Sequence, residues 1–114
     1  MIKVYGIANC DTVKKARVWF SEQGVEFNFH DFRKDGLDAK LVASWLEKLG
    51  NDVVVNKKSA TWRKLSEDEK NLSGEGLIGL LLEYPTLIKR PVIEYGDKLT
   101  VGFNDGVKEQ LLCN

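Results

Sequence analysis

Residues 2–32 read "IKVYGIANCDTVKKARVWFSEQGVEFNFHDF", and this stretch constrains the fold more than any other part of the chain. The segment "IKVYGI", residues 2–7, is β-rich and loosely alternating, which predicts a strand. Over residues 11–23, Val13, Ala16, Val18, Trp19 and Phe20 fall on one face of a helix, with Lys14, Lys15, Arg17 and Glu22 largely opposite. Gly24 then stops it. "VEFNFHDF", residues 25–32, alternates again and predicts a second strand. Strand, helix and strand within about 30 residues form a βαβ unit, whose two strands run parallel with a right-handed crossover.

The rest of the chain extends this start. In "LDAKLVASWLEKLG" the apolar positions Leu37, Leu41, Val42, Trp45, Leu46 and Leu49 form one helix face, with Asp38 as cap and Gly50 as stop. Residues 51–85 offer a short strand at "VVV" and two helical pieces, "SATWRKLSEDEK" and "SGEGLIGLLLEY". "RPVIEYGDKLTVGF" reads as a hairpin turning at Gly96 and Asp97, and "NDGVKEQLLCN" as a terminal helix capped by Asn104. The predicted architecture is α/β: a four-stranded mixed sheet flanked by helices, in a single domain of residues 1–114. A helical insert, about residues 37–87, separates the N-terminal βαβ unit from the C-terminal ββα unit.

Composition excludes several function classes. Seventeen basic and seventeen acidic residues balance, so no global field holds a polyanion, and nucleic acid is not an expected partner. No apolar run approaches the roughly 20 residues of a membrane helix. Two cysteines, Cys10 and Cys113, are too few for a secreted disulfide framework, and the chain opens on no signal-like segment, so the expectation is a cytoplasmic monomer.

Cys10 stands where a strand ends and a helix begins. Free backbone N–H groups and the positive end of the helix dipole favour a thiolate there, and Lys14 and Lys15 add positive potential. Asp11 opposes it. Thr12 can cap the helix or donate to a sulfur or an anion. Taken locally, Cys10 is open between a nucleophile and a small buried hydrophobe. Val13 occupies the position where a dithiol site carries its second cysteine, so a catalytic Cys10 works as a monothiol resolved by an external thiol such as glutathione or by a distant cysteine. Cys113 is the one other cysteine and reads as incidental. Arg90 offers a planar fork for an oxyanion or carboxylate, or is simply a surface arginine, and Pro91 suits the start of a strand. His30 has no partner histidine, so no metal is expected. Trp62 and Arg63 are open between a partner surface and core packing.

Four segments then act together: "YGIANCDTVKKARVWF" at 5–20, "FHDFRKDGLD" at 29–38, "NKKSATWRKL" at 56–65 and "IKRPVIEYGDKLTVGF" at 88–103. In order and spacing they resemble the arsenate reductase-like (ArsC/Spx) family, with closest similarity to its YffB-like branch. The resemblance implies a thioredoxin-like fold, a nucleophilic Cys10, an anion-binding Arg90, and a Pro91 that is usually cis beside the active site. It also implies a redox enzyme that uses glutathione as co-substrate, with no bound cofactor, and glutaredoxin as a partner. Its substrate is a small-molecule or protein disulfide.

Thr12, Lys14 and Lys57 are the further anion- or glutathione-binding candidates, and Asn9 shapes the site with Pro91. Arsenate reductases of this type surround the oxyanion with three arginines. Here Asn56, Lys57 and Lys58 lie where the second is expected, and the third falls close to Gly102. The redox-sensing transcriptional members carry Cys-x-x-Cys, which Val13 interrupts. The alternatives are an arsenate reductase coupled to glutathione and glutaredoxin, and a non-redox module that binds RNA polymerase or another protein.

Overall fold

The computed structural model describes residues 2–112. Its elements run β1 (Ile2–Gly6), α1 (Asp11–Glu22), β2 (Phe27–Asp31), α2 (Ala39–Leu49), α3 (Asn51–Val54), α4 (Ala60–Arg63), α5 (Glu67–Lys70), α6 (Gly74–Glu83), a 3-10 turn (Pro85–Leu87), β3 (Val92–Tyr95), β4 (Lys98–Val101) and α7 (Asp105–Leu112). Two compact units result, one of the residues up to Gly36 together with those from Arg90 on, the other Leu37–Lys89.

The first unit carries a four-stranded mixed sheet in the order β2-β1-β3-β4. β1 and β2 are parallel, as the βαβ pattern predicts, while β3 runs antiparallel to both β1 and β4. Side chains alternate across the sheet. On one face Ile2, Val4 and Ile93 meet Phe20 of α1 and Val107 and Leu111 of α7, with Trp19, Phe27, Phe29, Tyr95 and Phe103 around them. Truncating Phe20, which is 1% exposed, would cost about 3–5 kcal/mol.

On the other face Tyr5 lies opposite Val92 and diagonal to Glu94. Burial, and then the hydrogen bond and charge of Glu94, push the Tyr5 hydroxyl far up. Tyr5 is therefore a neutral donor at ordinary pH.

Gly6 decides how β1 meets α1. A Cβ there would come within 2.6 Å of Val13 Cγ2, so the strand end and the first helical turn approach at a distance only glycine permits. Asn104 caps α7 through the Val107 N–H at 2.9 Å, as its position predicts.

In the second unit α2 packs on α6, with Val42, Trp45, Leu77, Leu80 and Leu81 buried. Asp38 caps α2 by accepting the Lys40 N–H at 3.0 Å, and Gly50 ends it at φ 89°. The strand expected at "VVV" is corrected: Val53 and Val54 belong to helix α3, and Val55 alone makes an antiparallel bridge, to Ile88. The β-branched run is overridden by the N–H groups of Val54 and Val55, which bond back to the carbonyls of Gly50 and Asn51 at 3.3 and 2.9 Å. The piece expected as one helix over "SATWRKLSEDEK" is two, because Ser66 opens a new capping box with Glu69.

Candidate functional site

Cys10 is the N-cap residue of α1. Its backbone is extended (φ −84°, ψ 126°), its N–H donates to the Ile7 carbonyl at 3.0 Å, and its own carbonyl accepts the Lys14 N–H at 3.0 Å. The backbone is thus fully committed, while the side chain makes no regular cap bond and stands partly buried at the positive end of a 12-residue helix. Burial, the largest single influence, pushes the thiol up. The Val13 N–H, the Arg90 guanidinium and the Thr12 N–H together outweigh it and hold the Cys10 thiol below its ordinary value. The sulfur is therefore enriched in thiolate, the form that attacks disulfides.

Arg90 stands just before β3, joined to Pro91 by a cis peptide bond. Its guanidinium faces the Cys10 sulfur. Nε and Nη1 are buried and have no hydrogen-bond partner among the described residues. Unsatisfied buried donors of this kind are rare in folded proteins and call for an explanation. The Pro91 carbonyl accepts the N–H of Gly102 at 2.8 Å, tying the segment to the end of β4. Gly102 adopts φ 82°, so the position nearest the family's third arginine serves the backbone and suits glycine alone.

The structure thus gathers Cys10, Thr12 and Arg90 at one corner of the sheet unit, with Pro91 adjacent to Arg90 in the chain. Asn9 is exposed in the turn ahead of the cysteine, and Lys14 is exposed one helical turn beyond it without an ion pair among the described residues. Lys57 belongs to the helical unit, where its Nζ lies 3.0 Å from Asp52 Oδ1 and 5.7 Å from the centre of the Trp62 ring. Trp62 and Arg63 are also used locally: the Trp62 N–H donates to Ser59 Oγ, and Arg63 Nη2 to the Lys58 carbonyl, both at 3.1 Å. His30 pairs its Nε2 with the Gly36 carbonyl at 2.7 Å and lies against the Tyr5 ring. Cys113 lies outside the described residues.

One participant escapes any local pattern. Asp31, at the end of β2, accepts the Ala8 N–H through Oδ2 at 3.2 Å, and those of Arg33 and Lys34 through Oδ1 at 2.8 and 3.2 Å. Ala8 is two residues from the cysteine. The signal in the sequence is the Asp within "HDFRKDG", an Asx-turn former directly after a strand.

These features coincide with a match to the model of the ArsC family over residues 5–111. The chain belongs to the ArsC family. Within this arsenate reductase-like group it is 49% identical over 106 residues to an uncharacterised protein of Haemophilus influenzae, covering 92% of this chain and 93% of that one. It is 30% identical to the global transcriptional regulator Spx 1 of Lactococcus lactis, over 92% of this chain and 84% of the regulator. Among solved structures, one described as a YffB protein (spelled YFFB there) superposes with a TM-score of 0.90 at 39% identity, covering 98% of this chain and 99% of that one. The superposition shows that this chain and that one share the thioredoxin-like fold. Its relatives include one described as a transcriptional regulator and one described as an arsenate reductase (ArsC) related protein.

Proposed function

We propose that this ArsC-family protein is a glutathione-dependent monothiol reductase of disulfides, working in the cytoplasm with glutaredoxin or glutathione as the resolving thiol. One observation carries the reading: a buried guanidinium with two unused nitrogens faces a thiol held toward its thiolate form. The pair supplies a nucleophile and, beside it, a planar anion receptor for a carboxylate of glutathione or of the substrate.

The Cys10 thiolate attacks one sulfur of a substrate disulfide. A new S–S bond forms to Cys10 as the substrate S–S bond breaks, and the departing thiolate takes a proton from water. When the substrate is a glutathione mixed disulfide, the sulfur left on Cys10 is glutathione's. The thiolate of a second glutathione then attacks that sulfur, releasing oxidised glutathione and restoring Cys10. The net exchange converts the mixed disulfide and one free glutathione thiol into the substrate thiol and oxidised glutathione, so one disulfide is consumed and one is formed. Val13 in place of a second cysteine leaves no resolving thiol within the motif, which supports external resolution. Thr12 and Lys14, in the first turn of the helix that Cys10 opens, would flank the anion, and Asn9 and Pro91 are the chain neighbours of Cys10 and Arg90.

A single guanidinium suits a monoanionic carboxylate better than arsenate, which would lack two charge-assisted contacts worth about 1.5–3 kcal/mol each. The test is mass spectrometry of the protein after exposure to oxidised glutathione, alongside turnover of a glutathionylated peptide. Wild type is expected to form one adduct on Cys10 and Cys10→Ser to form none and to lose turnover. Turnover retained in Cys10→Ser overturns the reading. Arsenate reduction well above the glutathione background would replace it with the reductase alternative, and a Cys10 inert to every disulfide would leave the binding-module one.

A further inference from the structure

The turn that presents Cys10 is not self-supporting. Between the end of β1 and the start of α1 the chain makes one internal bond, Cys10 N–H to the Ile7 carbonyl, and the N–H of Ala8 would be left to solvent were it not for Asp31. We infer that Asp31 is the positioning residue of the nucleophile: its carboxylate clips the Ile7–Cys10 turn to the end of β2, so that the sulfur stays where the N–H groups of Thr12 and Val13 and the guanidinium of Arg90 act on it.

Three sets of contacts and one electrostatic feature support this. Asp31 pairs in register with Gly6, and the Phe32 N–H donates to the Gly6 carbonyl at 2.8 Å, so the strand ends on either side of the clip are fixed to each other. Asp31 divides its two oxygens, Oδ2 to Ala8 in the nucleophile's turn and Oδ1 to Arg33 and Lys34 in its own loop. That loop is closed a second time: the Asp31 N–H donates to Asp35 Oδ2 at 3.0 Å, and the Asp35 N–H donates to the Asp31 carbonyl at 2.8 Å. The anchor is therefore itself anchored, as a group that sets another's geometry must be. Finally, the carboxylate stays charged over the working range: desolvation raises its pKa, but the N–H groups of Arg33, Lys34 and Ala8 and the charge of Arg33 lower it by more.

The role has a sign that separates it from a mere charge near the thiol. An acidic group close to a cysteine opposes thiolate formation, so removing its charge should make the thiol more acidic. Loss of positioning does the reverse, because the sulfur drifts from the donors that lower its pKa. The inference rests on the reductase reading for its importance, yet it is tested on the thiol alone.

The experiment measures the rate of Cys10 alkylation by iodoacetamide against pH in wild type, Asp31→Asn and Asp31→Ala, with hydrogen exchange of the Ala8 amide followed by NMR and the unfolding midpoint of each protein. Asp31→Ala removes both arms of the clip. Asp31→Asn keeps one acceptor oxygen, and the Ala8 exchange rate reports whether that oxygen remains with the turn. Faster Ala8 exchange is expected to accompany a thiol titration moved to higher pH and at least a threefold slower alkylation at neutral pH. The effect should be largest in Asp31→Ala, and in Asp31→Asn it should follow the Ala8 bond rather than the charge. A titration that stays put or moves to lower pH in Asp31→Ala overturns the inference. So does one that moves only in proportion to a fall in the unfolding midpoint. Neither result touches the reductase reading, which fails on the Cys10→Ser experiment instead.

Discussion

Two places in this molecule combine a helix start with basic side chains, and they treat those side chains in opposite ways. At the corner of the sheet unit, Arg90 is held against Cys10 with Nε and Nη1 buried and without partners among the described residues. In the helical unit, the segment 56–63 leaves little unused. Asn56 Oδ1 accepts the Lys58 N–H at 3.1 Å, Ser59 Oγ accepts that of Trp62, Arg63 donates to the Lys58 carbonyl, and Lys57 meets Asp52. Desolvating a charge without satisfying it costs stability, and the proposed function uses this open capacity of Arg90 for an anion. A network whose members satisfy one another indicates a turn that holds its own shape. The difference teaches where to look for binding: at unfilled capacity rather than at density of charge.

The strongest way to break this contrast is Arg90→Ala. The guanidinium lowers the Cys10 thiol, so in wild type the reactive thiolate persists to lower pH than in an ordinary cysteine. Without it, burial is less opposed and the alkylation profile should move to higher pH. Exchange with oxidised glutathione at neutral pH should fall about tenfold to a hundredfold, the worth of one charge-assisted hydrogen bond at ~1.5–3 kcal/mol. Arg90→Lys should restore part of the pH shift through its charge and little of the exchange rate, because an ammonium lacks the planar fork. Superimposable pH profiles for wild type and Arg90→Ala would show that the unused guanidinium does not act on the sulfur.

A second change sharpens the sheet-unit side of the comparison by way of packing. Gly6→Ala inserts a methyl where Val13 Cγ2 stands 2.6 Å away, and overpacking of this kind costs about 1–3 kcal/mol. Because Val13 lies in the first turn of α1, the strain falls on the helix start that carries Cys10. Calorimetric unfolding should show the loss of stability, and the thiol titration should move up with it. An unchanged unfolding midpoint would mean that Val13 rotates away and that the close approach is not what fixes the turn.

Much of this fold is legible from local pattern. β1, α1 and β2 follow from period and from the stop at Gly24, the hairpin from Gly96 and Asp97, and the caps from Asp38 and Asn104, because each depends on residues a few positions apart. The segment 53–55 misleads because three β-branched residues outweigh, on paper, the short helix that backbone hydrogen bonds impose. The site is less legible for the same reason extended in space. That Gly6 must lack a side chain depends on Val13 across the strand-helix turn, and the clip from Asp31 to Ala8 spans 23 residues. Neither leaves a periodic trace. Arg90 takes on meaning through its resemblance to a family motif, since a lone arginine ahead of a strand is ordinary until its buried, unpartnered nitrogens are seen.

The smallest expected effect tests the other half of the contrast. Lys57 matches the family's anion-binding region by order and spacing, but its charge already meets Asp52, in a pair whose side chains are 54% and 89% exposed. A pair so open to water contributes about 0–1 kcal/mol, and its stacking on Trp62 at 5.7 Å adds little more. Lys57→Ala should therefore shift the unfolding midpoint by no more than about 5 °C, and screening by salt should remove most of that. Its consequence for exchange with oxidised glutathione should stay within about twofold, against the tenfold or more expected at Arg90. If instead Lys57→Ala lowers exchange as strongly as Arg90→Ala, Lys57 must leave Asp52 to take up the anion, and satisfied charge would be no guide to where this protein binds. Asp52→Asn would then raise exchange by freeing the lysine, whereas a lysine engaged only in its own turn leaves that variant indistinguishable from wild type.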